Sequence, residues 1–305
     1  MIKRIKKIIA STYQKLYLLR NFQDDFDRVR CENASLTLDH LRTINCIEDA
    51  GLSVFSQFDE DGIIDFILKR IGLNSGTFVE FGVDDFTESN CRFLLEARHW
   101  SGLVIEGNKK AVSRLKRRSF YWKNDLHVVE TFLTANNINS IIAENCEAND
   151  IGILSVDVDG IDYYLLEKCI DFQPKIIITE YNSVLENKLP ISVLYDEKFS
   201  RWNGNHSPIF YGANLKAFEF LLVSNGYSLI SVNSAGNNAF FVRNDLANSG
   251  GLKPCKSDHI FKKRQFSEMK QIAGWVSDDE NVDQMRDYKV MNVQSKTEIK
   301  FSDCL

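Results

Sequence analysis

Between Gly51 and Leu246 the hydrophobic period switches back and forth between that of a strand and that of a helix, and this limits the possible folds more than any other feature. Apolar, β-rich runs occur at 77–81, 103–106, 127–131, 153–156, 175–179, 227–232 and 239–242. Helix-period segments at 90–98, 109–118, 138–146, 161–169 and 214–225 separate most of them. Strands that alternate with helices imply right-handed crossovers and a parallel sheet. The fully apolar Ile153-Leu154 and Ile176-Ile177-Ile178 fit strands covered on both faces. The last two runs have only Asn233-Ser234-Ala235-Gly236-Asn237-Asn238 between them, so they must form an antiparallel hairpin.

Ligands of open parallel sheets bind beyond the carboxyl ends of the strands, where strand order reverses. The first run ends Val79-Glu80-Phe81-Gly82-Val83-Asp84-Asp85, and the second ends Val104-Ile105-Glu106-Gly107-Asn108. The fourth ends Ser155-Val156-Asp157-Val158-Asp159-Gly160, and the fifth Thr179-Glu180-Tyr181-Asn182. Acids gathered at four strand ends repel one another, so a cationic or hydroxyl-rich ligand is expected among them. S-adenosylmethionine (SAM) meets that demand with its sulfonium, amino group and ribose hydroxyls. Gly82 lets the backbone approach such a ligand, and Glu106 is placed to accept two ribose hydroxyls. NAD fits less well. The phosphate-binding G-x-G-x-x-G is missing, and Asp84 and Asp85 would repel a pyrophosphate. The run from Asp157 to Asp162 has its glycine fourth, not sixth, which excludes an EF-hand loop. A divalent ion held by Asp157 or Asp159 with Glu180 stays open.

Several segments, taken in order, form a set. They are Ser56-Gln57-Phe58-Asp59-Glu60-Asp61-Gly62, Val79-Glu80-Phe81-Gly82 with Glu88-Ser89-Asn90, and Trp100-Ser101-Gly102-Leu103-Val104-Ile105-Glu106-Gly107. Asp157-Val158-Asp159-Gly160-Ile161-Asp162-Tyr163, Tyr211-Gly212-Ala213-Asn214-Leu215-Lys216-Ala217 and Asn238-Ala239-Phe240-Phe241-Val242-Arg243 complete it. In order and spacing, over about two-thirds of the chain, the set resembles the FkbM-type methyltransferases, a family of SAM-dependent O-methyltransferases. The resemblance implies an α/β fold of the class I methyltransferase (Rossmann-like) type, a mostly parallel seven-stranded sheet with a C-terminal antiparallel hairpin. It implies SAM as donor and a sugar hydroxyl of a surface polysaccharide or its precursor as acceptor. By position, Glu80 and Gly82 fall to the methionine part of SAM and Glu106 to the ribose, with Gln57 and Asn90 as further cofactor contacts. Thr131 and Phe132 fall near the adenine and Asp157 near the sulfonium. A second small residue is usual where this chain has Asp84-Asp85. That departure motivates an alternative, a catalytically degenerate member acting as a membrane-peripheral interaction module.

A sugar hydroxyl needs help to lose its proton, so a base is expected beside the fourth and fifth strand ends. Asp159 and Glu180 qualify by position, and His206 by type in the turn-rich Asn203-Gly204-Asn205-His206-Ser207-Pro208. Tyr181, Asn182, Trp202 and Tyr211 are candidates for a sugar-binding surface. The basic run Lys109, Lys110, Arg114, Lys116, Arg117 and Arg118 reads first as a solvated helix face. A nucleotide- or lipid-linked acceptor is the weaker reading.

Three regions are expected: a basic helical segment 1–50, the methyltransferase-like domain 51–250, and a tail 251–305 with short helices and no strand-like runs. Residues 1–22 carry Lys3, Arg4, Lys6, Lys7, Lys15 and Arg20 and no acid, with Ile2, Ile5, Ile9, Tyr13 and Leu16 at helical spacing. This helix either lies on an anionic inner-membrane surface or packs on the domain or a second subunit. The net charge of −5 argues against a nucleic-acid binder. The seven cysteines include no C-x-x-C, which fits reduced thiols in the cytoplasm better than disulfides or zinc. A homo-oligomer is compatible with all of this.

Overall fold

The computed structural model describes residues 2–40, 43–146, 150–202, 206–264 and 278–305. It has two compact units, 1–45 and 46–305. The first is one helix, α1 (Ile2–His40), whose sequence contains neither proline nor glycine. The side chains of Ile2, Ile5, Ile9, Tyr13 and Leu16 lie outside those described. Among the described residues, no helix is long and apolar enough to cross a membrane.

The second unit is built on a seven-stranded sheet. Its strands are β1 (Thr77–Phe81), β2 (Ser101–Glu106), β3 (Leu126–Glu130), β4 (Ile151–Val156), β5 (Ile176–Glu180), β7 (Tyr227–Val232) and β8 (Asn238–Arg243). They lie in the order β3-β2-β1-β4-β5-β8-β7. The first five are mutually parallel, and β8 runs antiparallel to both β5 and β7. This is the mostly parallel sheet with a terminal hairpin that the sequence implies. Strand order reverses between β1 and β4, so the ligand crevice is expected at their carboxyl ends.

Period-two alternation sorts each strand's side chains onto two covered faces. Val79, Ile105, Leu154 and Ile177 pack with α6 (Ile138–Asn145), α7 (Asp162–Cys169) and α8 (Leu215–Ser224). Phe78, Val104, Ile153 and Ile178 pack with α2 (Glu60–Ile71), α3 (Arg92–Arg98), α4 (Lys109–Leu115) and α5 (Ser119–Lys123). Glu80, Glu106 and Glu180 each follow an apolar residue of this second face by two positions. The three acids therefore share one face as well as one edge.

The tail differs from expectation. It holds short helices, α9 (Asn244–Ser249) ending just before it, then α10 (Ser257–Ile260) and α11 (Asp278–Met285). It also holds a hairpin of β9 (Lys289–Asn292) and β10 (Thr297–Lys300). The hairpin joins the three-residue strand β6 (Ile191–Val193) in a second, antiparallel sheet. One apolar residue in Thr-Glu-Ile-Lys is too thin a pattern to read as a strand. Its order comes from pairing and from a separate core that includes Ile191, Phe210, Met285, Val290 and Phe301.

Candidate active site

Two adjoining cavities open at the reversal point, one of about 890 Å³ and one of about 220 Å³. Gly82, Asp84, Asp157 and Asp159 line both. Gln57, Glu80, Asn90 and Glu180 line the smaller; Glu106, Thr131 and Phe132 line the larger. Ten of the eleven catalytic and cofactor candidates named from sequence thus lie along one crevice. His206 does not line either cavity. Its ring packs with those of Phe210 at 5.7 Å and Tyr288 at 5.4 Å, beside the second sheet. Polarity around His206 suggested a substrate loop, but tertiary aromatic packing decides its place. Its neighbours Asn203, Gly204 and Asn205 lie outside the described residues.

The floor of the crevice is a close backbone crossing. Gly82 has φ of 69°, and a Cβ there would sit 1.6 Å from the Asp157 carbonyl oxygen. Only glycine fits. Glu80 is buried, and its carboxylate accepts from Ser89 Oγ at 2.6 Å and from the amides of Asn90 at 2.8 Å and Cys91 at 3.3 Å. Burial outweighs these bonds and raises its pKa to about 7. Asn90 also donates from its side chain to Ser155 Oγ at 3.1 Å, tying the loop after β1 to β4.

Glu106 accepts from the Asp84 amide at 2.9 Å and the Asn108 amide at 2.6 Å. Partial burial raises its pKa. The acid expected to meet ribose therefore also braces the turn after β1. Lone pairs remain on both oxygens for further donors. The Asp84 and Asp85 carboxylates are drawn to one guanidinium, with Arg114 within 3.0 Å of each. One member of the basic run thus offsets half of the pair's charge in the turn. Phe132 lies on Gly107, where a Cβ would come within 2.3 Å of the ring, and is 76% exposed at the rim.

At the ends of β4 and β5, oxygens of Asp157, Asp159 and Glu180 lie within 4.8 Å of one another. Burial, then the charges of Asp159 and Asp162, push the Asp157 pKa well up. Asp162 braces this loop by accepting from the amides of Val158 at 2.7 Å and Gly160 at 2.9 Å. Arg201, which sequence reading did not single out, pairs with Asp159 and donates to the Pro208 carbonyl at 2.9 Å. Its guanidinium lies 3.9 Å from the centre of the Tyr211 ring. No local pattern marks an arginine in so polar a loop, and only the fold brings it there. Tyr211 donates to Glu180 at 3.5 Å. Tyr181 and Asn182, read as a sugar surface, are buried and bonded to backbone carbonyls of Lys262, Ile209 and Tyr211. Of that set, Trp202 remains exposed on the larger cavity.

The Ser56–Gly62 motif proves to be a brace. Asp61 Oδ2 accepts from the amides of Val54, Phe55 and Ser56 at 2.7–2.8 Å and from Ser56 Oγ at 2.8 Å. Its other oxygen is buried without a partner, and burial lifts its pKa to about 6. Buried Glu60 accepts from Asn233 at 2.7 Å and Asn238 at 2.8 Å. The loop carrying Gln57 is thereby tied to the β7–β8 turn.

The chain has the class I methyltransferase fold. Solved structures with this fold match it, though at low similarity. The small-RNA methyltransferase HEN1 is 14% identical with a TM-score of 0.38, covering 58% of this chain and 24% of its own. A Klebsiella pneumoniae protein assigned as an O-methyltransferase is 11% identical with a TM-score of 0.41, covering 69% of this chain and 95% of its own. The CurJ carbon methyltransferase is 10% identical with a TM-score of 0.40, covering 60% and 52%. Strand order, not these scores, carries the fold assignment. No protein-family model and no curated protein matches the chain.

Proposed function

We propose that this protein is a SAM-dependent O-methyltransferase whose acceptor is a sugar hydroxyl of a surface polysaccharide or its precursor, free, nucleotide-linked or lipid-linked. The reading rests on one observation: a glycine-floored crevice at the reversal point, lined by acids from the ends of β1, β2, β4 and β5. SAM fits this lining, because cationic and hydroxyl groups are what such acids lack. When bound, it supplies an activated methyl group on a sulfonium. Gln57, Glu80 and Asn90 would hold the amino-acid portion, Glu106 the ribose hydroxyls, and Thr131 and Phe132 the adenine. Trp202 offers the acceptor an aromatic face. Asp159 or Glu180 takes the proton as the hydroxyl oxygen becomes a nucleophile. The same trio of carboxylates suits a divalent ion, and activity assayed with and without a chelator separates the two roles.

Titration with S-adenosylhomocysteine tests the reading. Binding by the wild type is expected, and its absence sinks the proposal. Glu106→Ala should weaken binding by about 1–3 kcal/mol, since two hydroxyls lose their acceptor. Labelled SAM incubated with cell-surface glycan fractions then identifies the sugar that gains the methyl group. A cytoplasmic protein touching the inner membrane through residues 1–22 is consistent with a lipid-linked acceptor. Vesicle binding lost on deleting those residues would support that contact.

A further inference from the structure

Helix α1 carries an apolar stripe that its own unit does not cover. Phe22, Phe26, Val29 and Leu36 are exposed, from 46% at Val29 to 70% at Leu36. The rings of Phe22 and Phe26 stack at 6.4 Å. The stripe has a heptad phase. With Leu19, Phe26 and Asn33 at a, the d positions are Phe22, Val29 and Leu36. This alternation of three and four residues is the seam of a coiled coil.

We propose that α1 pairs with α1 of a second copy of this chain, in parallel and in register, through residues 19–36. Two observations choose this occupant. Asn33 is the one polar residue among those six seam positions, and a single asparagine at a is a device that fixes register and a two-stranded state. The flanks are complementary only in parallel. Asp25, Glu32 and Asp39 fall at g, and Arg30 falls at e. In a parallel pair g of one helix meets the e five residues on in the other, so Asp25 meets the second copy's Arg30, twice over. An antiparallel pair would set the acidic flank against itself. Asp25 now makes an exposed ion pair with Arg28 at 3.2 Å, which costs little to exchange.

The stripe does not suit an anionic membrane. Residues 19–36 carry Asp24, Asp25, Asp27 and Glu32 against Arg20, Arg28 and Arg30, a net charge of −1 that gives an anionic surface no attraction. The basic cluster that could favour a membrane, Lys3, Arg4, Lys6, Lys7 and Lys15, lies before it.

Sedimentation velocity of the full chain over a wide concentration range tests the proposal, with circular dichroism to check that each variant folds. The wild type should form a dimer. Phe26→Asp should weaken it at least about tenfold. Asn33→Leu should tighten it or raise its order. Asp25→Arg and Arg30→Asp should each weaken it, and the double variant should restore it. Four results overturn the proposal. They are a monomer at every concentration, a dimer indifferent to Phe26→Asp, a double charge swap that fails to restore pairing, and a monomer that phosphatidylserine vesicles capture through Phe26.

Discussion

The acids around the crevice divide into two groups by what they touch. Glu80, Glu106, Asp61 and Asp162 each accept from two or more backbone amides. Asp157, Asp159 and Glu180 meet one another and the side chains of Arg201 and Tyr211. An acid bonded to amides holds a loop in one shape. An acid that meets side chains can exchange partners, which a site handling protons and a cationic ligand requires. The difference teaches that proximity to the crevice does not by itself make an acid reactive.

The largest expected effect falls on the amide-bonded group. Asp61→Ala strips the acceptor from three buried amides and should cost about 3–5 kcal/mol of folding stability at pH 7, read from urea denaturation. If the loss is under about 1 kcal/mol, the two groups do not differ as described.

Glu80 gives the same contrast a pH signature. Its folded pKa of about 7 lies above the usual 4.5, so the folded state holds its proton to higher pH than the unfolded state. Stability should therefore fall as pH rises from about 4.5 to about 7 and level off above, by up to about 3 kcal/mol from this group. Asp61 adds a drop of the same sign between its usual 3.8 and about 6. Glu80→Gln should flatten the upper part of the curve, and an unchanged slope would show that another group carries it.

Substitution of Asp157 should change stability in the opposite direction to Asp61→Ala. It is buried beside Asp159 and Asp162, whose charges oppose its own ionisation. Asp157→Asn removes that repulsion. It should raise stability by about 1 kcal/mol near pH 8 while weakening S-adenosylhomocysteine binding about tenfold or more. A variant that loses stability would place Asp157 with the amide-bonded acids.

Much of this was legible because two simple periods governed it. The strand–helix alternation gave the sheet, and the absence of a helix between β7 and β8 gave the hairpin. The acids could be found because each lies at or just beyond the carboxyl end of a strand, Glu106 and Glu180 as the last strand residue and Asp157 as the first after β4. What could not be read depended on contacts distant in sequence. Arg201 reaches Asp159 across 42 residues, and Asn233 reaches Glu60 across 173. The β9–β10 hairpin lacks its own apolar alternation and is ordered by β6, nearly a hundred residues away. His206 is a different case: its residue type suggested a place beside the crevice, and its ring lies instead against Phe210 and Tyr288.

The smallest expected effect concerns the turn after β1. Asp84 and Asp85 looked incompatible with a ligand there, yet both bond to Arg114. Arg114 is 44% exposed, so the pairing itself should contribute little to folding, and less at high salt. Arg114→Ala should accordingly leave denaturation nearly unchanged. Asp84 also lines both cavities, and its amide is held by Glu106. If Arg114 serves to keep these two carboxylates turned aside, its loss should alter S-adenosylhomocysteine affinity several-fold at low salt and hardly at all at high salt. An affinity indifferent to the substitution at both salt levels would mean that the Glu106 bond alone sets the turn.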